Sequence, residues 1–166
     1  MRAKDDRTAA ASAKVGELMT SGVVTCSPST NAATAAELML QADCGILPVV
    51  ADGTLVGVVT DRDLFIALGT RNVRASDLQV GDVAQVRVWA CGANDAVGSA
   101  LEIMNRNRVR RLPVVDDAGR VVGMLSMNDL LLETGATRNV QQAAVVETLQ
   151  AISTHHQPLA LTPEQV

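Results

Sequence analysis

The chain has 166 residues, of which 48% are hydrophobic and 19% charged, and its formal net charge at pH 7 is -4. This length suits one compact domain or two small units that share a core, and the acidic balance argues against a free nucleic-acid-binding protein. No apolar run approaches the ~20 residues of a membrane span, and three widely spaced cysteines without a C-x-x-C pair favour a reducing cytoplasm.

The first predicted elements are an N-terminal arm, a helix and a hairpin. Residues 1–14 mix acidic and basic side chains and lack the apolar core of a secretory signal, so we expect a mobile arm. Thr30 is a favourable N-cap for a helix whose apolar positions recur at helical spacing. These positions are Ala32, Ala35, Ala36 and Met39. Turn residues between two aliphatic runs, residues 46–50 and 55–60, then predict an antiparallel hairpin.

A second helix closes this unit, and the same elements then recur. The helix is predicted over residues 61–68, with Gly69 as its C-terminal stop. From residue 80 onward the pattern returns, with Asp95 as the N-cap. The recurring elements are an apolar face of Val97, Ala100, Leu101 and Met104, strands over 111–115 and 120–126, a helix over 127–133, and Gly135.

The recurrence is an internal repeat of the sequence itself. Leu47-Pro48-Val49-Val50 returns as Leu112-Pro113-Val114-Val115, an offset of 65 residues. One residue is inserted at the second hairpin turn, so that GVVTDRDL from residue 57 becomes GMLSMNDL from residue 123. We therefore divide the chain into an arm, a first repeat, a linker, a second repeat and a C-terminal helix with a tail. Their boundaries are 1–14, 15–69, 70–79, 80–135 and 136–166.

One repeat of this size buries too little apolar surface to be stable alone. We therefore expect an α+β fold in which two β-α-β-β-α repeats pack sheet to sheet with pseudo-twofold symmetry, followed by a C-terminal helix. That helix is predicted over residues 139–153, because Val145, Leu149 and Ile152 stand at helical spacing. It packs on the module, crosses a dimer interface or docks an effector, and the sequence does not distinguish these placements.

The motif set resembles a known family. Leu-Pro-Val-Val, a hairpin and then G-h-h-[ST]-x-x-D, present twice in register, is similar to the paired CBS domains, named after cystathionine β-synthase. The resemblance covers residues 15–69 and 80–135. It implies a regulatory module that binds AMP, ADP, ATP, NAD or S-adenosylmethionine in the cleft between the repeats and signals occupancy by a conformational change. It also implies a homodimer and an effector protein as partners.

The duplicated turn carries the candidate ribose ligands, Asp63 and Asp129. A carboxylate can accept hydrogen bonds from both vicinal hydroxyls of a ribose. Thr60 and Ser126 precede a helix, so their hydroxyls and the free N–H groups of the first helical turn are expected to face the ribose and phosphate. The alternative is a capping box, in which side chain and backbone satisfy one another without a ligand, and both can hold at once. We expect the two turns to line one shared pocket.

The resemblance also implies where the base and the phosphate lie. It places an adenine slot near the first strand of each copy, at Val24-Thr25 and Trp89-Ala90, and at the entry to the second strand, at Ile46 and Arg111. Trp89 either stacks on the base or packs at the contact between the repeats. Arg110 and Arg111 stand immediately before the second Leu-Pro-Val and resemble phosphate ligands, the alternative being a solvated basic helix end. Gly57 and Gly123 leave room for a close approach of backbone.

Two other functions stay open: a ligand-independent structural or dimerisation module, and an enzyme that acts on nucleotides. The sequence has no G-x-S-x-G motif, no P-loop and no dinucleotide fingerprint. Cys26 and Cys91 are expected to be small strand residues, and His155 and His156 have no neighbouring cysteine or acidic cluster. We therefore expect neither catalysis nor a metal site.

Overall fold

The computed structural model describes residues 13–136 and 140–154. Nearly all of the predicted N-terminal arm and the tail with His155 and His156 lie outside these residues. The α-helices and strands are α1 (Val15–Leu18), β1 (Thr20–Ser21), α2 (Ala32–Gln41), β2 (Ile46–Ala51), β3 (Thr54–Thr60), α3 (Asp61–Arg71), β4 (Cys91–Gly92), α4 (Val97–Asn107), β5 (Arg111–Val115), β6 (Val121–Ser126), α5 (Met127–Ala136) and α6 (Gln142–Ser153), and a 3-10 helix covers Val80–Asp82. None of the helices described is long and apolar enough to span a bilayer.

The strands form two sheets. In the first half of the molecule, β2 and β3 make an antiparallel hairpin, and Cys26 alone forms a parallel bridge to Val49. In the second half, the order is β1-β6-β5-β4, with β4 parallel to β5. Each hairpin has a register shift at the same place in its repeat, after Val49 and after Val114. The predicted α+β fold with two β-α-β-β-α repeats is confirmed.

The N-terminal segment of each repeat crosses to the other half. Strand β1 pairs with β6, and Val15 N–H donates to the Asp95 carbonyl at 3.0 Å. In the same way Val80 N–H donates to the Thr30 carbonyl at 2.8 Å. Val15 and Val80 are both fully buried, Val15 in the core of the second half and Val80 in that of the first. The two halves are therefore tied together by exchanged segments as well as by facing sheets.

Each half has its own apolar core beneath its helices. The core of the first half is Cys26, Ala32, Ala35, Met39, Leu47, Val49, Val59, Leu64, Ala67, Leu78 and Val80. The core of the second half is Ala13, Val15, Cys91, Val97, Ala100, Leu101, Met104, Leu112, Val114, Leu125, Met127, Leu130, Val140 and Val145. Ala36 is exposed, so the predicted apolar face of α2 is narrower than that of α4.

The predicted helix ends are wrong in detail, for local reasons. Asn31, one residue after Thr30, caps α2 by accepting from the Thr34 N–H at 2.9 Å. Ala96 stands at the N-cap of α4, because the Asp95 side chain instead accepts from the N–H of Gly92 at 2.7 Å.

The predicted glycine stops also lie inside helices. Helix α3 runs through Gly69 and ends at Arg71, and its C-cap residue Asn72 adopts the left-handed conformation with φ of 51°. Asparagine tolerates this conformation better than other non-glycine residues do. Gly135 lies within α5.

The C-terminal helix packs on the module. Helix α6 begins at Gln142 rather than at residue 139, and it places Val145 in the core of the second half. Leu149 and Ile152, which share its predicted apolar stripe, are partly buried against the same core. In the structure, α6 therefore packs on the module, which is one of the three placements that the sequence allows.

Candidate functional site

Both duplicated turns form capping boxes. Asp63 N–H donates to Thr60 Oγ1 at 3.1 Å, and Thr60 N–H and Oγ1 donate to Asp63 Oδ2 at 3.0 and 2.6 Å. Ser126 and Asp129 repeat this pattern at 3.2, 2.8 and 2.7 Å. The capping alternative is therefore present in both turns, and it fixes the carboxylates at the start of α3 and α5.

The two carboxylates line two cavities, not the single shared pocket predicted from the sequence. The first cavity has a volume of about 1050 Å³ and contains Thr60 and Asp63 on one wall, with Trp89, Arg110 and Arg111 opposite. The second has a volume of about 310 Å³. The division follows from the pseudo-twofold arrangement, because each turn faces the N-terminal segment that crosses beside it.

The second cavity joins the turn of the second half to residues of the first. Ser126 and Asp129 line it together with Val24, Asp43 and Cys44. Of the other predicted site residues, Ile46 and Arg111 line both cavities.

Thr25 lines neither cavity. Its side chain is exposed, one residue before the Cys26 bridge to the β2 strand. Ala90, also predicted in the adenine slot, lines neither cavity, and the other predicted site residues all line one.

The first turn of α3 has no free backbone donor among its first three residues. Asp61 N–H donates to the Gly45 carbonyl at 3.1 Å, and Arg62 N–H donates to Asp61 Oδ1 at 2.7 Å. The N–H of Asp63 is bonded to Thr60. The expectation that these N–H groups are free to face a phosphate is therefore wrong for α3, and anion binding there would rely on side chains.

Gln85 lines the first cavity and is a candidate site residue that the sequence did not predict. Its Nε2 donates to both carboxylate oxygens of Asp63, at 3.2 and 3.1 Å. The backbone of Gln85 is held by a bridge to Val58, with N–H···O distances of 2.8 and 3.1 Å. The repeat offset pairs Gln85 with Thr20 in the crossing strand β1, and this pairing was the only feature that could have placed it beside Asp63.

The two cavities differ in charge. The first is lined by five arginines and two aspartates: Arg62, Arg87, Arg108, Arg110, Arg111, Asp61 and Asp63. Within the part of the chain that the structure describes, none of these guanidinium groups forms an ion pair. Arg87 lies over the Trp89 ring, 5.0 Å from its centroid. The charged residues of the second cavity are Asp43, Asp129 and Arg111.

The buried cysteines have the properties of core residues. Burial raises the pKa of the Cys26 thiol to about 11. Burial, with a smaller contribution from the nearby Asp95 carboxylate, also raises the pKa of Cys91 to about 11. Both thiols are therefore protonated at neutral pH, whereas a nucleophilic cysteine needs the thiolate.

A family model and curated relatives match the chain. The model of the CBS domain matches twice, over residues 15–70 and 80–134. The CBS domain-containing protein YhcV of Bacillus subtilis is 34% identical over 70% of this chain and 81% of its own length. The inosine-5'-monophosphate dehydrogenase of Thermoplasma acidophilum is 38% identical over 66% of this chain. The chain spans only 21% of that enzyme.

A solved structure shares the fold. CBSX2 of Arabidopsis thaliana is a CBS-pair protein. Its complex with AMP matches with a TM-score of 0.65 and 28% identity, over 75% of this chain and 98% of that chain.

Proposed function

Because the chain belongs to the CBS domain family, we propose that it is a regulatory module that binds an adenosine-containing ligand between its repeats. The observation that carries the proposal is the first cavity, which joins the Thr60–Asp63 turn of one half to Trp89, Arg110 and Arg111 of the other. The 28% identical CBSX2 was crystallised with AMP. Catalysis plays no part in the proposal.

Each part of an adenine nucleotide has a complementary group in the first cavity. The ribose hydroxyls donate to Asp63, whose carboxylate is held in place by the cap of α3. The base lies against Ile46 and Trp89, in the apolar part of the wall. The phosphate binds Arg110 and Arg111, because guanidinium groups form charge-assisted hydrogen bonds with phosphate oxygens.

Occupancy is transmitted through Gln85. The ribose competes with the Gln85 amide for the same carboxylate oxygens, and Gln85 belongs to the segment that crosses between the halves. A ligand shifts a conformational equilibrium only by its differential affinity for the two states. Release of Gln85 supplies such a difference, and an effector protein that contacts the crossing segment would sense it.

The test is a calorimetric titration with AMP, ADP, ATP, NAD and S-adenosylmethionine, followed in parallel by fluorescence of Trp89, the sole tryptophan. We expect at least one nucleotide to bind and to change Trp89 fluorescence, because Trp89 lines the first cavity. Asp63→Ala should weaken that binding at least tenfold. Asp117→Ala removes the same charge from the exposed hairpin turn and should leave binding unchanged.

Thermal stability provides a second measurement. A ligand at 100 times its dissociation constant should stabilise the protein by about 2.7 kcal/mol. A panel in which no ligand binds or stabilises the chain would favour the ligand-independent structural module, whose capping boxes need no ligand.

We further propose that the module is a homodimer formed through α3 and α5. Phe65 and Leu132 are 78% and 77% exposed on these helices, at closely equivalent places in the two repeats, and each has an exposed apolar neighbour. Two such patches on a pseudo-symmetric module can meet the same patches of a second copy, which buries both. The free thiols of the described cysteines support a cytoplasmic location for the assembly.

Phe65→Arg with Leu132→Arg is expected to convert the dimer to a monomer, because four buried charges per interface would lack partners. Light scattering after size-exclusion chromatography measures the mass. Leu40→Arg is the matched control, since Leu40 is 82% exposed on α2 and lies outside the proposed interface. A wild-type chain that is monomeric at high micromolar concentration would contradict the proposal.

A further inference from the structure

The second cavity carries charges and hydrogen-bonding groups that differ from those of the first. We infer that it binds an adenosine that carries no phosphate, neutral or positively charged at its 5′ substituent, while the anionic nucleotide binds in the first cavity. This inference rests on the proposed function and deepens it by assigning a ligand class to the second site.

The charges that line the second cavity disfavour a phosphate. A phosphate in the second cavity would meet the carboxylates of Asp43 and Asp129 with Arg111 as the only cation among the lining residues. Arg111 also lines the first cavity, so a phosphate bound there competes for it. Like charges within a few ångströms repel one another strongly where water is partly excluded. A neutral nucleoside avoids this repulsion, and a sulfonium cation is attracted.

The carboxylates of Asp63 and Asp129 also differ in their hydrogen bonds. Both oxygens of Asp63 accept from Gln85, so a ribose must displace an existing donor in the first cavity. Asp129 uses only Oδ2 for its cap, and within the described residues Oδ1 has no hydrogen-bond partner. Thr20, the counterpart of Gln85 in the repeat, lines the same cavity but does not occupy this oxygen.

This difference makes a phosphate dispensable in the second cavity. A ribose can bind Asp129 without breaking a protein hydrogen bond, and one carboxylate can accept from both of its hydroxyls. In the first cavity the attraction between phosphate and arginine helps to offset the loss of the Gln85 bonds. The volume of about 310 Å³ is at the lower end of the ~300–1,000 Å³ typical of small-molecule sites, which suits a nucleoside better than a dinucleotide.

Adenosine and AMP differ only by the phosphate, so they form a matched pair of probes. We expect adenosine to bind the full chain in calorimetry even when AMP is present at saturation. It should leave Trp89 fluorescence unchanged, because Trp89 lines the first cavity and not the second. S-adenosylmethionine, which carries a positively charged sulfonium at its 5′ position, tests the preference for a cation. It should also bind when AMP is at saturation and leave Trp89 fluorescence unchanged. AMP should bind the second cavity at least tenfold more weakly than adenosine.

Two matched variants assign the sites. Asp129→Ala should weaken adenosine binding at least tenfold and leave AMP affinity within twofold, and Asp63→Ala should do the reverse. Each substitution removes one of the two equivalent capping boxes, so a general loss of folding would lower the binding of both ligands in both variants. Val24→Trp is a third variant. Val24 lines the second cavity at 38% exposure, and the larger side chain should block adenosine binding without changing a capping box.

The outcomes separate this inference from the proposed function. If AMP binds and changes Trp89 fluorescence but adenosine only competes with it, or is insensitive to Asp129→Ala, the inference is wrong and the function stands. Two AMP sites of equal affinity, one of them lost in Asp129→Ala, would also overturn it. If adenosine does not bind, the inference is wrong, and if no ligand of the nucleotide panel binds either, both fail.

Discussion

Replacing Arg110 and Arg111 together with alanine is expected to weaken AMP binding about 100-fold. Both residues line the first cavity and neither forms an ion pair with a described residue, so their charges are available to a phosphate. A hydrogen bond to a charged group contributes about 1.5–3 kcal/mol. We take the lower value for these exposed side chains, which gives about 3 kcal/mol for the pair, and each 1.4 kcal/mol corresponds to tenfold in affinity.

The control replaces two exposed arginines that lie outside the first cavity. Arg74 is exposed in the linker, and Arg106 forms only an exposed ion pair with Glu102 at 3.5 Å, which contributes little to stability. Arg74→Ala with Arg106→Ala gives the same change in net charge, so it should reproduce any long-range electrostatic effect but not the loss of contact. Calorimetry at two ionic strengths separates these effects, because long-range attraction is screened by salt.

In the first cavity, the affinity of the Arg110→Ala, Arg111→Ala protein for AMP should approach the affinity of that same cavity for adenosine, since only the phosphate contacts are removed. Unchanged AMP affinity in this variant would refute the assignment of these arginines to the phosphate. A loss of equal size in the control would show that net charge, not contact, governs binding.

The sequence predicted those elements that depend on interactions within a few residues. The starts of α3 and α5 are set by Thr60 with Asp63 and Ser126 with Asp129, whose bonds span three residues. The hairpins follow from turn residues between aliphatic runs. Asn31 could have been recognised by the same reasoning, but Thr30 beside it is also a favourable cap, and local sequence does not decide between two adjacent candidates.

What the sequence did not predict depends on contacts between distant segments. The crossing of β1 onto β6 joins Ser21 to Gly123, and no pattern within either segment specifies this pairing. The position of Gln85 beside Asp63 follows from the equivalent crossing of the second repeat, in which Gln85 bridges to Val58. The division into two cavities follows from both crossings. The repeat indicated that Gly57 and Gly123 have equivalent roles, but only the structure identifies what approaches them.

Gly123→Ala is expected to lower the free energy of unfolding by about 3 kcal/mol, the upper end of the range for overpacking a closely packed site. A Cβ at Gly123 would lie 2.6 Å from Met19 Sδ and 2.8 Å from the Thr20 carbonyl oxygen. The sulfur can move, but the carbonyl belongs to β1, which pairs with this position. The close approach predicted at this glycine is thus made by the chain itself.

Two other glycines make a graded series that urea unfolding can measure. A Cβ at Gly57 would lie 3.2 Å from the Gln85 carbonyl oxygen, so Gly57→Ala should cost about 1 kcal/mol, at the lower end of the same range. A Cβ at Gly69 would meet nothing within 4 Å inside α3, so Gly69→Ala should stabilise the protein by about 0.5–1 kcal/mol through helix propensity. Equal effects at Gly123 and Gly57 would contradict the argument from contact distance.

The Gly123 variant also separates the two cavities. Displaced β1 carries Thr20 and Ser21, which line the second cavity but not the first. Under conditions where the variant is still folded, binding of adenosine to the second cavity should fall at least tenfold while AMP binding changes little. Gly57→Ala shifts the Gln85 segment instead, so its effect should fall on AMP. Each crossing segment lines only one of the two cavities. If the two glycines are functionally as well as structurally equivalent, each substitution will therefore weaken ligand binding in the cavity beside its own crossing segment and spare the other cavity.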